Sequence, residues 1–123
     1  MNIERLKLWT AALRSGNYRQ TRGQLRDRGG TMCCLGVLCD ISGVGEWKGL
    51  AYMGSECYPP QPVLEWIGAD VEADIEVRSP SIESLDPDQP PEPGFVILAA
   101  DANDGNEWTF EQIADGLERR CLT

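Results

Sequence analysis

Five arginines, Arg14, Arg19, Arg22, Arg26 and Arg28, fall in one short stretch interleaved with Tyr18, Gln20 and several glycines. A guanidinium presents a planar fork of donors that matches phosphate, and an aromatic ring offers a face on which a base or a cation stacks. Arg14, Arg19 and Arg22 are therefore candidate phosphate ligands, Trp9, Tyr18 and Trp47 candidate stacking rings, and Gln20 a further polar contact. Asn103 and Asp104, towards the other end of the chain, complete the candidate ligand-binding set. The chemistry these types suit is recognition of an anionic, ring-bearing molecule. The competing reading is electrostatic. Residues 1–30 hold seven bases and two acids, and the rest of the chain holds four bases and 18 acids. Opposite charges in that arrangement commonly meet across a fold or lie on solvated faces.

Catalytic constellations are scarce. The chain has no histidine, which excludes a serine triad, Cys–His catalysis, HExxH zinc chemistry and a histidine pH switch. Five cysteines are present, Cys33, Cys34, Cys39, Cys57 and Cys121, an odd number with two adjacent and hard to bridge to each other. In Met32–Cys39 they alternate with aliphatic residues, the pattern of reduced thiols serving as small core side chains. A structural zinc held by Cys33 or Cys34 with Cys39 and Cys57 is the alternative, without the C-x-x-C spacing that would make it strong. An activated thiolate at Cys33 or Cys34 near Arg28 has no identifiable general base. Asp101–Asn106 invites a calcium loop, but Gly105 falls at the fifth place and Gln112 at the twelfth, so a turn is preferred. Neither GxxxxGK[ST] nor a GxGxxG after a strand occurs. No catalytic residue, metal or cofactor is expected.

The elements that would position these residues belong to an α+β fold: a small single domain spanning 1–123, its N- and C-terminal helices packed with a short antiparallel sheet. Asn2 can cap a helix over about residues 3–15, with Leu6, Trp9 and Leu13 on one face and Gly16 at its end. Asn17–Arg26 reads as extended segments or a short hairpin, closed by a turn at Arg26-Asp27-Arg28-Gly29-Gly30, where Arg14, Tyr18 and Gln20 could converge. Cys34, Val37, Leu38 and Ile41 repeat at helical spacing up to Gly43, although Gly36 weakens that helix. Gly43–Tyr58 suggests a loop with a short strand, and Pro62 opens a helix ending at Gly68. Val71, Ile75 and Val77 alternate with acids as an exposed strand would. Ser79–Gly94, acidic and proline-rich, reads as a mobile loop. Phe95–Ala100 is a buried strand or the start of a helix, and Thr109-x-x-Gln112 is a capping box opening a helix over about 110–120, with Trp108 and Ile113 as its staple.

At 123 residues, 13.6 kDa and net charge −9, the chain is one acidic domain. Leu, Ile, Val and Phe make up about 22 % of it, just above the level at which charged chains stay disordered. No apolar run could span a bilayer and Met1–Lys7 lacks a signal-peptide core, so a cytoplasmic protein with no membrane role is expected. The net charge argues against direct nucleic-acid binding. Four tryptophans on a small core are consistent with a homo-oligomer.

Three segments together resemble a family of small proteins encoded by tailed bacteriophages and prophages. They are Trp9-x-x-Ala12-Leu13-Arg14-Ser15-Gly16-x-Tyr18-x-Gln20, Cys33-Cys34-Leu35-Gly36-Val37-Leu38-Cys39-Asp40, and Asn103-Asp104 followed by Thr109-Phe110-x-x-Ile113-Ala114. The resemblance implies the bacterial host cytoplasm and an accessory role against host defence, and carries no catalytic residues with it. Two classes of function fit. The first is a non-enzymatic binder that sequesters a nucleotide-derived host immune signalling molecule. The second is an acidic inhibitor that imitates nucleic acid, with the nine acids from Glu65 to Glu92 set against a basic channel of a host defence nuclease or effector complex. Sequestration ranks first, because mimicry leaves the arginine cluster unexplained.

Overall fold

The computed structural model describes residues 1–71, 74–80, 87–90 and 94–121. Helix α1 spans Ile3–Arg14. The Asn2 side chain accepts the Arg5 N–H at 3.1 Å, and Leu6, Trp9, Thr10 and Leu13 form its buried stripe. Helix α2, Cys34–Ser42, is buried from Cys34 to Cys39 and stops at Gly43, whose φ of 65° is the left-handed conformation that ends helices. Gly36 lies inside this helix because the chain passes over it: a β-carbon there would stand 2.0 Å from the Leu25 carbonyl oxygen. Close approach, and not helix propensity, decides that position.

A two-residue turn joins strands β1 (Trp47–Lys48) and β2 (Ala51–Tyr52) into an antiparallel hairpin in which Trp47 faces Tyr52. Gly49 takes a positive φ of 62° at the first central position of the turn. Helix α3, Gln61–Ile67, carries Pro62 in its first turn and ends at Gly68. Strands β3 (Glu76–Arg78) and β4 (Val96–Leu98) pair antiparallel, with Val77 opposite Ile97. Helix α4 (Ala99–Asp104) follows β4 directly, so Phe95–Ala100 contains both a strand and a helix start. Helix α5, Phe110–Cys121, opens on the capping box: Gln112 Oε1 accepts the Thr109 N–H at 2.9 Å and Thr109 Oγ1 accepts the Gln112 N–H at 3.2 Å.

Among the described residues the α+β architecture is therefore five helices and two short antiparallel sheets about one core, with terminal helices α1 and α5 packed together. The exposed strand expected from Val71 to Val77 is shorter and differently placed. It begins at Glu76, and Ile75 and Val77 are buried. Val77 packs under α5 where Gly116 leaves room; a β-carbon on Gly116 would come within 2.9 Å of both Val77 and the Trp108 ring. Val71 is exposed in a turn where the Asp74 carboxylate accepts the Asp70 and Val71 N–H groups. The mobility expected over Ser79–Gly94 falls largely outside the described residues. Among the described residues no helix is long and apolar enough to cross a membrane.

Candidate ligand-binding site

The site grows from Asp40, in the last turn of α2. A carboxylate there opposes the helix dipole, and that turn carries no basic residue to offset it. Two side chains satisfy it. Tyr18 donates its hydroxyl to Oδ2 at 2.6 Å, and Trp47 donates its indole N–H to Oδ1 at 3.0 Å. Partial burial, with help from the hydrogen bond to Asp40, pushes the Tyr18 phenol up to about 12, so it stays a donor at neutral pH. The Trp47 ring is fixed on a second side by Tyr52, ring centroids 5.0 Å apart at 67°. Over the ring lies the Arg26 guanidinium, its Cζ 5.3 Å from the centroid.

Beside this stack runs an open groove of about 470 Å³ lined by Arg26, Asp27, Arg28, Gly49 and Leu50. Its walls are the hairpin turn and the 26–30 turn. Asp27 shapes the latter: its carboxylate accepts the Gly29 and Thr31 N–H groups at 2.9 and 3.1 Å. Hydrogen bonding, chiefly from the Thr31 side chain, holds Asp27 below its ordinary carboxylate value. Two guanidinium groups against one internally occupied carboxylate leave the groove suited to an anion.

The model of the family described as Domain of unknown function (DUF8296) matches residues 1–121. The chain belongs to this family. No curated protein and no solved structure matches it.

The residues expected to form one ligand site in this DUF8296 chain are dispersed. Tyr18 and Trp47 do meet, through Asp40. Trp9 does not join them: it is wholly buried in the core, where its N–H donates to the Cys34 carbonyl at 3.0 Å, so it has no free face for a base. Arg14 turns to α5 and pairs with Asp115 and Glu118, which commits its fork to two carboxylates. Gln20, half-buried, and Asn103 are likewise committed to partners within the protein. Asn103, fully buried, accepts from Gln20 Nε2 at 2.8 Å and from the Cys34 N–H at 3.2 Å. It donates to the Thr21 carbonyl at 2.9 Å and to Asp104 Oδ1 at 2.7 Å. Gln20 also donates to the Trp108 carbonyl at 2.7 Å, and Asp104 accepts the Gly23 N–H at 3.0 Å. These three residues bolt the 20–23 loop to α2 and α4. Asp104 also lines an acidic groove with Asp101, Cys57 and Tyr58, an unfavourable setting for an anion. Arg19 and Arg22 are exposed and do not line the Trp47 groove. The expected convergence of Arg14, Tyr18 and Gln20 is replaced by three separate sets of partners.

Asp40, Arg26 and Arg28 were absent from the expected ligand set. The signal for Asp40 was a carboxylate ending an apolar helix with no cation nearby; Arg26 and Arg28 sat within the arginine cluster. Cys33, Cys34 and Cys39 are buried, and burial pushes their thiols up, to about 11 for Cys33 and about 12 for Cys39. Cys33 Sγ accepts the Gly36 N–H at the start of α2, and Cys34 Sγ meets the Ala99 carbonyl. Cys57, the other proposed zinc ligand, is exposed. Among the described residues no three of Cys, Asp and Glu gather as a metal site would require.

Proposed function

We propose that this protein is a bacteriophage or prophage accessory protein that binds and sequesters a nucleotide-derived immune signal in the bacterial cytoplasm without transforming it. The observation that carries the reading is the stack of Arg26 on Trp47 beside the Arg28 groove, an aromatic face and two phosphate-matching forks in one place. The absence of histidine from the sequence and the protonated state of the three buried motif thiols at neutral pH favour binding over catalysis. The phage setting rests on the resemblance of the Trp9–Gln20, Cys33–Asp40 and Asn103–Ala114 segments.

Native mass spectrometry of protein purified from bacteria with triggered immune signalling tests this reading. A stoichiometric nucleotide-like mass, released by heat and missing from Arg28→Ala protein, is the expected result. Ligand-free protein that instead retains a basic nuclease or effector, and releases it when Glu72, Asp74 and Glu76 are neutralised, would replace sequestration with acidic inhibition.

A further inference from the structure

We infer that Arg26 sets the specificity of this groove by covering the Trp47 ring until an anion draws it away, so that phosphorylated ring compounds are selected over unphosphorylated ones. The inference rests on the nucleotide reading above and assigns it a discriminating residue. Three observations carry it. The indole is held at two places, by Asp40 at its N–H and by the Tyr52 ring. The guanidinium on its face is held by that face alone: among the described residues no carboxylate forms an ion pair with Arg26. And Arg26 lines the groove whereas Trp47 does not, as expected if the guanidinium stands between the ring and any entering ligand.

The backbone of Arg26 is anchored by its bridge to Met32, so only the side chain has to move. A guanidinium on an indole at a solvent-facing site is worth roughly a two- to fivefold factor in an equilibrium constant. An uncharged nucleoside must displace that contact and offers the guanidinium only the neutral acceptors of its base and ribose in return. A phosphate offers bidentate, charge-assisted hydrogen bonds, so the same displacement becomes favourable and bares the ring for stacking. Arg28, which is exposed and not placed over the ring, supplies phosphate attraction without the covering role.

Calorimetric titration of wild type, Arg26→Ala and Arg28→Ala with adenosine and guanosine, each with and without a 5′-phosphate, separates the possibilities. Wild type is expected to prefer a monophosphate. In Arg26→Ala the nucleoside should bind roughly two- to fivefold tighter, as the cover is gone, while the monophosphate weakens roughly tenfold or more. Arg28→Ala should weaken the monophosphate alone. An Arg26→Ala protein that loses the monophosphate yet binds nucleoside as wild type does would overturn the covering role and leave the nucleotide reading standing. Failure of wild type to bind any of the four probes would overturn both. A variant-free check is the ring-current shift of the Arg26 δ protons, which should collapse on adding the monophosphate and persist with the nucleoside.

Discussion

Two polar assemblies in this molecule are built from similar residues and do opposite things. Around the buried Asn103 every polar atom of the amide is spent on the protein itself, tying together Gln20, Thr21, Cys34 and Asp104. Around Trp47 the fixed parts, Asp40, Tyr18 and Tyr52, hold a ring in place and leave two guanidinium groups beside an open groove. The first arrangement stabilises because the Asn103 amide and the Cys34 N–H at its centre cannot reach water and must not lose their partners. The second can exchange partners because its cations face solvent. Polarity alone does not distinguish a site from a scaffold; what matters is whether the hydrogen-bonding capacity is already used.

The contrast can be broken or sharpened by substitution. The largest effect is expected for Asn103→Ala, which strands the Cys34 N–H and the Thr21 carbonyl and leaves the Gln20 amide with the Trp108 carbonyl alone. It should lower unfolding free energy by about 3 kcal/mol or more in urea titration. Asp40→Ala should lower it by only about 1 kcal/mol, since the residue is exposed, while weakening ligand binding through a loosened Trp47. Equal losses in the two variants would mean that the groove belongs to the folding core and that the two assemblies do not differ in role.

The smallest effect concerns Arg14. Its hydrogen bonds hold the Glu118 carboxyl below the ordinary value of 4.5. A folded-state pKa lowered in this way adds stability at pH values above 4.5 that is lost as pH falls through the folded value. Both ends of the pair face solvent, so the contribution is at most about 1 kcal/mol. The stability gap between wild type and Arg14→Ala, measured by denaturant midpoints from pH 7 to pH 3, should shrink towards zero on acidification. A gap that stays constant would show that Arg14 acts by packing and not by charge.

Local signals were readable from the chain. Asn2, Gly43, Gly68 and the Thr109–Gln112 box mark helix ends because capping involves neighbours a few residues apart. The candidate site was legible only in part. Tyr18 and Trp47 stood out as rings, but the carboxylate joining them lies 22 residues from one and seven from the other. Gln20 and Asn103, 83 residues apart, each looked available because nothing local reveals that they satisfy one another. Trp9 fits both a core position of α1 and a stacking ring, and the periodicity of α1 is the better guide. The same holds for Gly36, a weak point for a helix until Leu25 is seen to cross it.

The buried thiols of α2 also make the protein its own clock. Alkylation of Cys33, Cys34 or Cys39 requires the helix to leave the core and the thiol to ionise outside it, whereas Cys57 is exposed in the native state. When reclosing outpaces the reagent, the slow labelling rate divided by that of a free thiol is the population of the open form. Cys57 then serves as the internal standard. A ligand that engages only the native groove should slow the three motif cysteines together and leave Cys57 unchanged.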